Sequence, residues 1–105
     1  MKTTNYSFYV WLNDKNTKQQ EISTIDAFKL ATRLTINYFW GGTILESDWI
    51  YTHEDWQIVI EKTLKIEVIT DENKSNIDLY IWDLKSTFNQ ENILVKKSLE
   101  DVNFQ

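Results

Sequence analysis

An α+β fold follows from three features of the sequence. Four segments alternate apolar and polar residues with the period of a strand, two others repeat apolar residues at helical spacing, and the order along the chain is β-α-β-β-α-β. Right-handed crossovers then leave the ferredoxin-like arrangement, a four-stranded antiparallel sheet with two helices on one face. The 105 residues suffice for a single domain, residues 1–105, with one core and no separate cofactor domain.

YSFYVWL (6–12) reads as the first strand, with Phe8, Val10 and Leu12 on one parity and Ser7, Tyr9 and Trp11 on the other. The polar stretch NDKNTKQQE is a loop. Ser23 offers a helix N-cap with Asp26 in the capping-box position, and Ala27, Leu30, Ala31, Leu34 and Tyr38 supply the apolar stripe after it. Gly41 and Gly42 are expected to stop that helix.

TILESDWIY (43–51) and QIVIEKTLKIEVIT (57–70) are two extended runs joined by THEDW, which makes a hairpin. Ile58, Ile60, Leu64, Ile66 and Val68 share one parity and predict a long central strand with that face on the core. Beyond the DENKS loop, Ser75 is expected to cap a second helix with Asp78 in capping-box position, and Ile77, Ile81, Leu84 and Phe88 form its stripe. ENILVKK (91–97) closes the sheet, and SLEDVNFQ after it has no decisive pattern.

The composition excludes several function classes. Sixteen acidic against eleven basic residues give a net charge of −5, a poor match for a phosphate backbone, so no nucleic-acid polymer is expected as partner. That balance suits a partner with a basic groove. There is no cysteine, which removes disulfides, thiolate catalysis, zinc fingers and iron–sulfur clusters. No motif implies a cofactor. The apolar run near the N-terminus is too short for a signal sequence or a membrane span, so a cytoplasmic location without membrane association is expected.

Two helices cover only one face of a sheet. Tyr9 and Trp11 should stand on the open face, and Trp49 and Tyr51 join them if the parity of their strand places Leu45, Trp49 and Tyr51 outward rather than Ile44, Glu46, Asp48 and Ile50. Aromatic side chains bury roughly 150–250 Å² each, so four half-exposed ones approach roughly 300–500 Å², about the largest apolar patch a monomer leaves bare. A second copy of the chain, a protein or a planar ligand is expected to cover it, with a homo-oligomer, dimeric or larger, as the plainest solution.

YTHEDW (51–56) holds the only histidine, His53, beside Glu54 and Asp55 and flanked by Tyr51 and Trp56. A transition metal needs three or four converging ligands, and no second histidine exists to help. The stretch reads as a hairpin turn, with recognition at its tip the functional option. Asp14, at the end of the first strand, reads as the start of a turn; a metal-dependent nuclease using Asp14 from two subunits is the unfavoured alternative, since the basic surface it needs is missing. Arg33, Lys62 and Lys65 are candidate phosphate contacts for a bound nucleotide, although no glycine-rich cradle accompanies them.

LNDKNTKQQEIST, YTHED, VIEKTLKIE and FNQENILV together resemble a group of small phage and mobile-element proteins of Gram-positive bacteria, over roughly residues 9 to 96. In that pattern small residues, often glycine, stand where this chain has Trp11, Trp49 and Trp56. The resemblance implies a non-enzymatic counter-defence inhibitor in the host cytoplasm. It would block a host defence protein or, alternatively, sequester a nucleotide second messenger in an oligomer. Tyr9, Trp11, Trp49, Tyr51, His53, Glu54, Asp55 and Trp56 are the expected binding residues, and no catalytic or metal-ligating set is assigned.

Overall fold

A computed structural model describes residues 2–71, 74–103 and 105. The elements are β1 (Lys2–Trp11), α1 (Thr24–Tyr38), β2 (Thr43–Thr52), β3 (Ile58–Thr70), α2 (Lys74–Phe88) and β4 (Leu94–Asp101). The sheet order is β2-β3-β1-β4, antiparallel at every pairing, which is the ferredoxin-like topology. β1 begins at Lys2 because SLED pairs with it: Leu99, Glu100 and Asp101 lie opposite Thr4, Thr3 and Lys2.

The expected core face of β1 is the observed one. Tyr6, Phe8, Val10 and Leu12 are buried against the helices, together with Leu64, Ile66 and Val68 of β3 and Ala27, Ala31, Ile77, Tyr80, Leu84 and Phe88 of the helices. Ser23 caps α1, its hydroxyl accepting from the Asp26 N–H at 3.1 Å. α2 starts at Lys74, one residue ahead of the expected cap Ser75, whose side chain lies outside the described residues.

Two expectations need correction. Ile58 and Ile60 have core parity yet are 70% and 63% exposed, because β2 and β3 run on past the ends of the helices. The hairpin therefore projects as an arm, and the molecule measures 47 × 26 × 25 Å. Nor do the glycines stop α1. Phe39 turns extended (φ −135°, ψ 164°) while its N–H donates to the Thr35 carbonyl, ending the helix before Gly41 is reached.

Gly42 is needed for a different reason. A Cβ there would lie 2.8 Å from the Glu67 carbonyl oxygen and 3.2 Å from Thr35 Cγ2, whereas at Gly41 nothing lies within 4 Å. Gly42→Ala is expected to cost about 1–3 kcal/mol through overpacking, and Gly41→Ala to be neutral or slightly stabilising. Urea unfolding of the two variants in parallel checks this.

Tyr80 is fully buried at the centre of the core, its ring edge-on to Phe8 and Phe39 at 4.9 Å each. Burial pushes its phenol up to about 12, only partly offset by the 2.9 Å hydrogen bond it shares with the Thr35 hydroxyl. An unfolded tyrosine ionises near ~10, so between these values the unfolded chain loses a proton that the folded chain retains. This contribution to stability is complete below about pH 10 and is lost as pH rises toward 12. Tyr80→Phe is expected to flatten the alkaline decline in unfolding free energy, measured by denaturant titration from pH 9 upward.

Candidate functional site

The open face of the sheet is built by the second parity of each strand. β1 contributes Ser7, Tyr9 and Trp11, and the register places Glu67, Lys65 and Thr63 of β3 opposite them. Across β3, Leu45, Ser47, Trp49 and Tyr51 of β2 meet Lys65, Thr63, Glu61 and Val59. Trp49 and Tyr51 thus stand on the same face as Tyr9 and Trp11. Trp49 packs edge-on against Trp11 (5.3 Å, 81°) and against Tyr9 (6.4 Å, 64°), so rings from β1 and β2 meet across the strand between them. Thr63, on that intervening strand, is buried although it points away from the helices. Lys65 sits 5.8 Å from the Tyr9 ring centroid and 3.7 Å from Glu67.

The arm ends in a tight turn. Trp56 N–H donates to the His53 carbonyl at 2.9 Å, His53 N–H donates to the Gln57 carbonyl at 3.1 Å, and the Asp55 carboxylate accepts from the Gln57 N–H at 3.1 Å. Asp55 does what aspartate does in turns, satisfying a backbone donor two residues on. The His53 ring lies edge-on to Tyr51 at 5.5 Å. Trp56 takes φ 64°, a left-handed conformation that glycine adopts freely and bulky residues avoid, and its side chain is 83% exposed. Glu54 and Asp55 beside it are exposed as well. On the other side of the arm, Ile50, Ile58 and Ile60 form an exposed apolar row.

Where the arm leaves the body, a cleft of about 520 Å³ opens at the end of the aromatic face. Trp11, Tyr51, His53 and Val59 supply its apolar and aromatic side, and Lys15, Lys18, Glu61 and Asn92 are among its polar lining. Its floor is tied together by hydrogen bonds between the β1–α1 and α2–β4 loops. Asp14 accepts from the Asn16 and Thr17 N–H groups (2.8 and 3.2 Å) through one oxygen and from the Asn89 side-chain amide (2.8 Å) through the other. Buried Gln90 donates from its side chain to the Asn13 carbonyl at 2.6 Å, and Glu61 accepts from the Asn13 N–H at 3.0 Å. Asn89, just past α2, takes φ 48° while Gln90 N–H returns to the Lys85 carbonyl at 2.9 Å, a Schellman-type ending.

The Asn89 amide first, then the two backbone N–H groups, hold the Asp14 carboxyl below the usual carboxylate range. With both oxygens engaged by its own loops, Asp14 starts a turn and is poorly placed as a metal ligand. Among the described residues no group of three or more acidic or histidine side chains converges on a metal position.

The proposed phosphate contacts are not brought together. Lys62 points to the helix side of the arm and pairs with Asp48 at 3.1 Å, Lys65 lies on the open face, and Arg33 is exposed on α1. Strand parity separates Lys62 from Lys65, and no common pocket can use all three. Lys15 and Lys18, which no sequence motif singles out, line the cleft instead. Only the loop closure between Asp14 and Asn89, residues distant in sequence, could have revealed this pair. Among the described residues no helix is long and apolar enough to cross a membrane.

No protein-family model matches the chain, and no curated protein sequence does. Solved structures do match in fold. A phage SAM lyase aligns in its apo state with TM-score 0.64 and 18% identity over 97% of this chain and 87% of that one. The same lyase in complex with S-methyl-5'-thioadenosine gives 0.63 and 18% over 96% and 87%. CutA from Synechococcus elongatus gives 0.58 and 12% over 94% and 77%. At such identities the likeness is one of fold alone.

Proposed function

We propose that this protein is a non-enzymatic binding protein that self-associates through its aromatic sheet face. The apex of its β2–β3 arm occupies a basic groove on a host defence protein, in the service of phage counter-defence. The observation that carries the reading is Trp56. A bulky residue held in the left-handed region costs about 1–2 kcal/mol relative to its ordinary conformations, and here that residue is an exposed tryptophan at the end of a projecting arm. Strain of this kind concentrates where recognition requires it, and tryptophan is enriched among interface hot spots. Glu54 and Asp55 beside it give the apex an acidic rim complementary to a basic groove. The fold shared with a phage protein and the resemblance to phage sequences with small residues at this position both support the assignment.

Trp56→Gly tests it, since glycine relieves the backbone while deleting the anchor. The variant is expected to gain about 1 kcal/mol in unfolding free energy and to lose activity. Activity is read as the plating efficiency of a phage on a host that carries its defence systems and expresses this protein. Full protection by Trp56→Gly would overturn the role of the apex, and no protection by the wild-type chain would overturn the counter-defence reading itself.

A further inference from the structure

The arm has two faces, and only one of them belongs to the aromatic cluster. β1 accompanies β3 no further than the Trp11–Thr63 pairing, whereas β2 follows β3 on to the Thr52–Ile58 pairing. Over that stretch the sheet is a ribbon of two strands, with side chains alternating between its faces. Trp49, Tyr51 and Val59 share the aromatic face. Ile50, Ile58 and Ile60 take the other, and Ile50 lies directly opposite Ile60. Beyond the ends of the helices these three remain 65%, 70% and 63% exposed. A two-stranded ribbon is at best marginally stable in water, and one that is apolar on both faces gains from being covered on both.

Charge decides among the coverings. Residues 49–60 include Glu54 and Asp55 but no lysine or arginine, and both carboxylates are exposed at the apex. Toward the body the isoleucine row stops at the Asp48–Lys62 ion pair, whose groups lie 3.1 Å apart and neutralise each other. Two arms laid isoleucine face to isoleucine face would bring two acidic segments together, which disfavours a second copy there. An anionic lipid surface is disfavoured for the same reason. Packing of copies through the aromatic face leaves the isoleucines uncovered, because they stand on the opposite side of the same strands. The row therefore suits a protein surface with an apolar floor and basic residues where it receives the apex.

We infer that Ile50, Ile58 and Ile60 form the surface along which the basic protein partner docks, so that a self-associated protein holds one partner on each arm. This rests on the reading above, in which the apex anchors the partner, and extends it from one side chain to a face. Ile50→Thr, Ile58→Thr and Ile60→Thr combined test it, since threonine keeps the β-branch that suits a strand while removing most of the apolar surface. The triple variant is expected to keep its fold by circular dichroism and its self-association by sedimentation velocity, and to lose phage protection. The corresponding triple valine variant, whose face stays apolar, is expected to protect. Ile58→Lys, a single change at the most exposed of the three, gives an independent reading. It is expected to lose protection as well, because it sets a cation against a basic partner. Full protection by the threonine variant or by Ile58→Lys overturns the docking face while leaving Trp56 as the anchor. Loss of self-association together with protection assigns the face to contacts between copies and also overturns it. Flotation of the wild-type chain with phosphatidylcholine vesicles, abolished in the threonine variant, would assign the face to a lipid surface and overturn the protein partner. No protection by the wild-type chain overturns the counter-defence reading, and this inference falls with it.

Discussion

Phe8→Ala is expected to cost about 3–5 kcal/mol, a large part of the roughly 5–15 kcal/mol that holds a domain folded. Phe8 is fully buried in the middle of β1, hydrogen-bonded through its strand to β3 on one side and β4 on the other, opposite Ile66 and Val95. Its ring stacks on Tyr6 at 5.8 Å and meets the edge of Tyr80 at 4.9 Å. Deleting it removes the transfer free energy of the ring and leaves a cavity that cannot collapse, because a strand paired on both edges cannot move inward. With a urea dependence of about 1–3 kcal/mol per molar for a domain of this size, the midpoint should fall by more than a molar unit, if the variant folds at all. A change of only a few tenths would mean that the packing around Phe8 is looser than its full burial implies. Leu84→Ala, on the facing helix and equally buried, gives an independent reading of the same core.

The core was legible because parity on a strand is unforgiving: Phe8, Val10 and Leu12 can face only one way if Tyr9 and Trp11 face the other. Helix α1 was legible from Ser23 and its stripe, and the hairpin from two alternating runs around THEDW. What parity could not supply was extent. Ile58 and Ile60 carry the same pattern as Ile66 and Val68, and only the lengths of the helices determine that the former pair has nothing to pack against. Gly41 and Gly42 suggest a left-handed cap for α1, as glycines near a helix end usually do, but neither has positive φ. Among the described residues, those with that backbone are Lys18, Trp56 and Asn89; asparagine adopts it readily at a helix end, whereas sequence preference would not place lysine or tryptophan there. The cleft was hidden for a topological reason: Asn13–Lys18, Glu61 and Gln90–Asn92 meet only after the sheet and α2 have formed. Lysines scattered along strands look alike in a sequence, and pairing with Asp48 or Glu67 is what separates Lys62 and Lys65 from Lys15 and Lys18.

Trp49→Ala is expected to raise the dissociation constant of self-association about 30- to 1,000-fold, the equivalent of roughly 2–4 kcal/mol for a central aromatic anchor. Trp49 touches both Tyr9 and Trp11, so it is the ring on which the cluster on the open face depends. Its removal takes away contact area and also frees its two neighbours to reorient, which makes the loss larger than one side chain's share. Sedimentation velocity over a dilution series measures the constant directly. Trp82→Ala is the control, because Trp82 is 64% exposed on α2 and belongs to the opposite layer; its loss should leave association unchanged. The comparison also separates two ways of building an oligomer from this sheet. β2 and β4 are its edges, and copies joined edge to edge would associate through backbone hydrogen bonds that Trp49→Ala leaves intact. Copies joined face to face bury the aromatic cluster, and for them the substitution is decisive. Equal weakening by both tryptophan variants, or by neither, would remove the aromatic face as the interface and leave it free for a different partner.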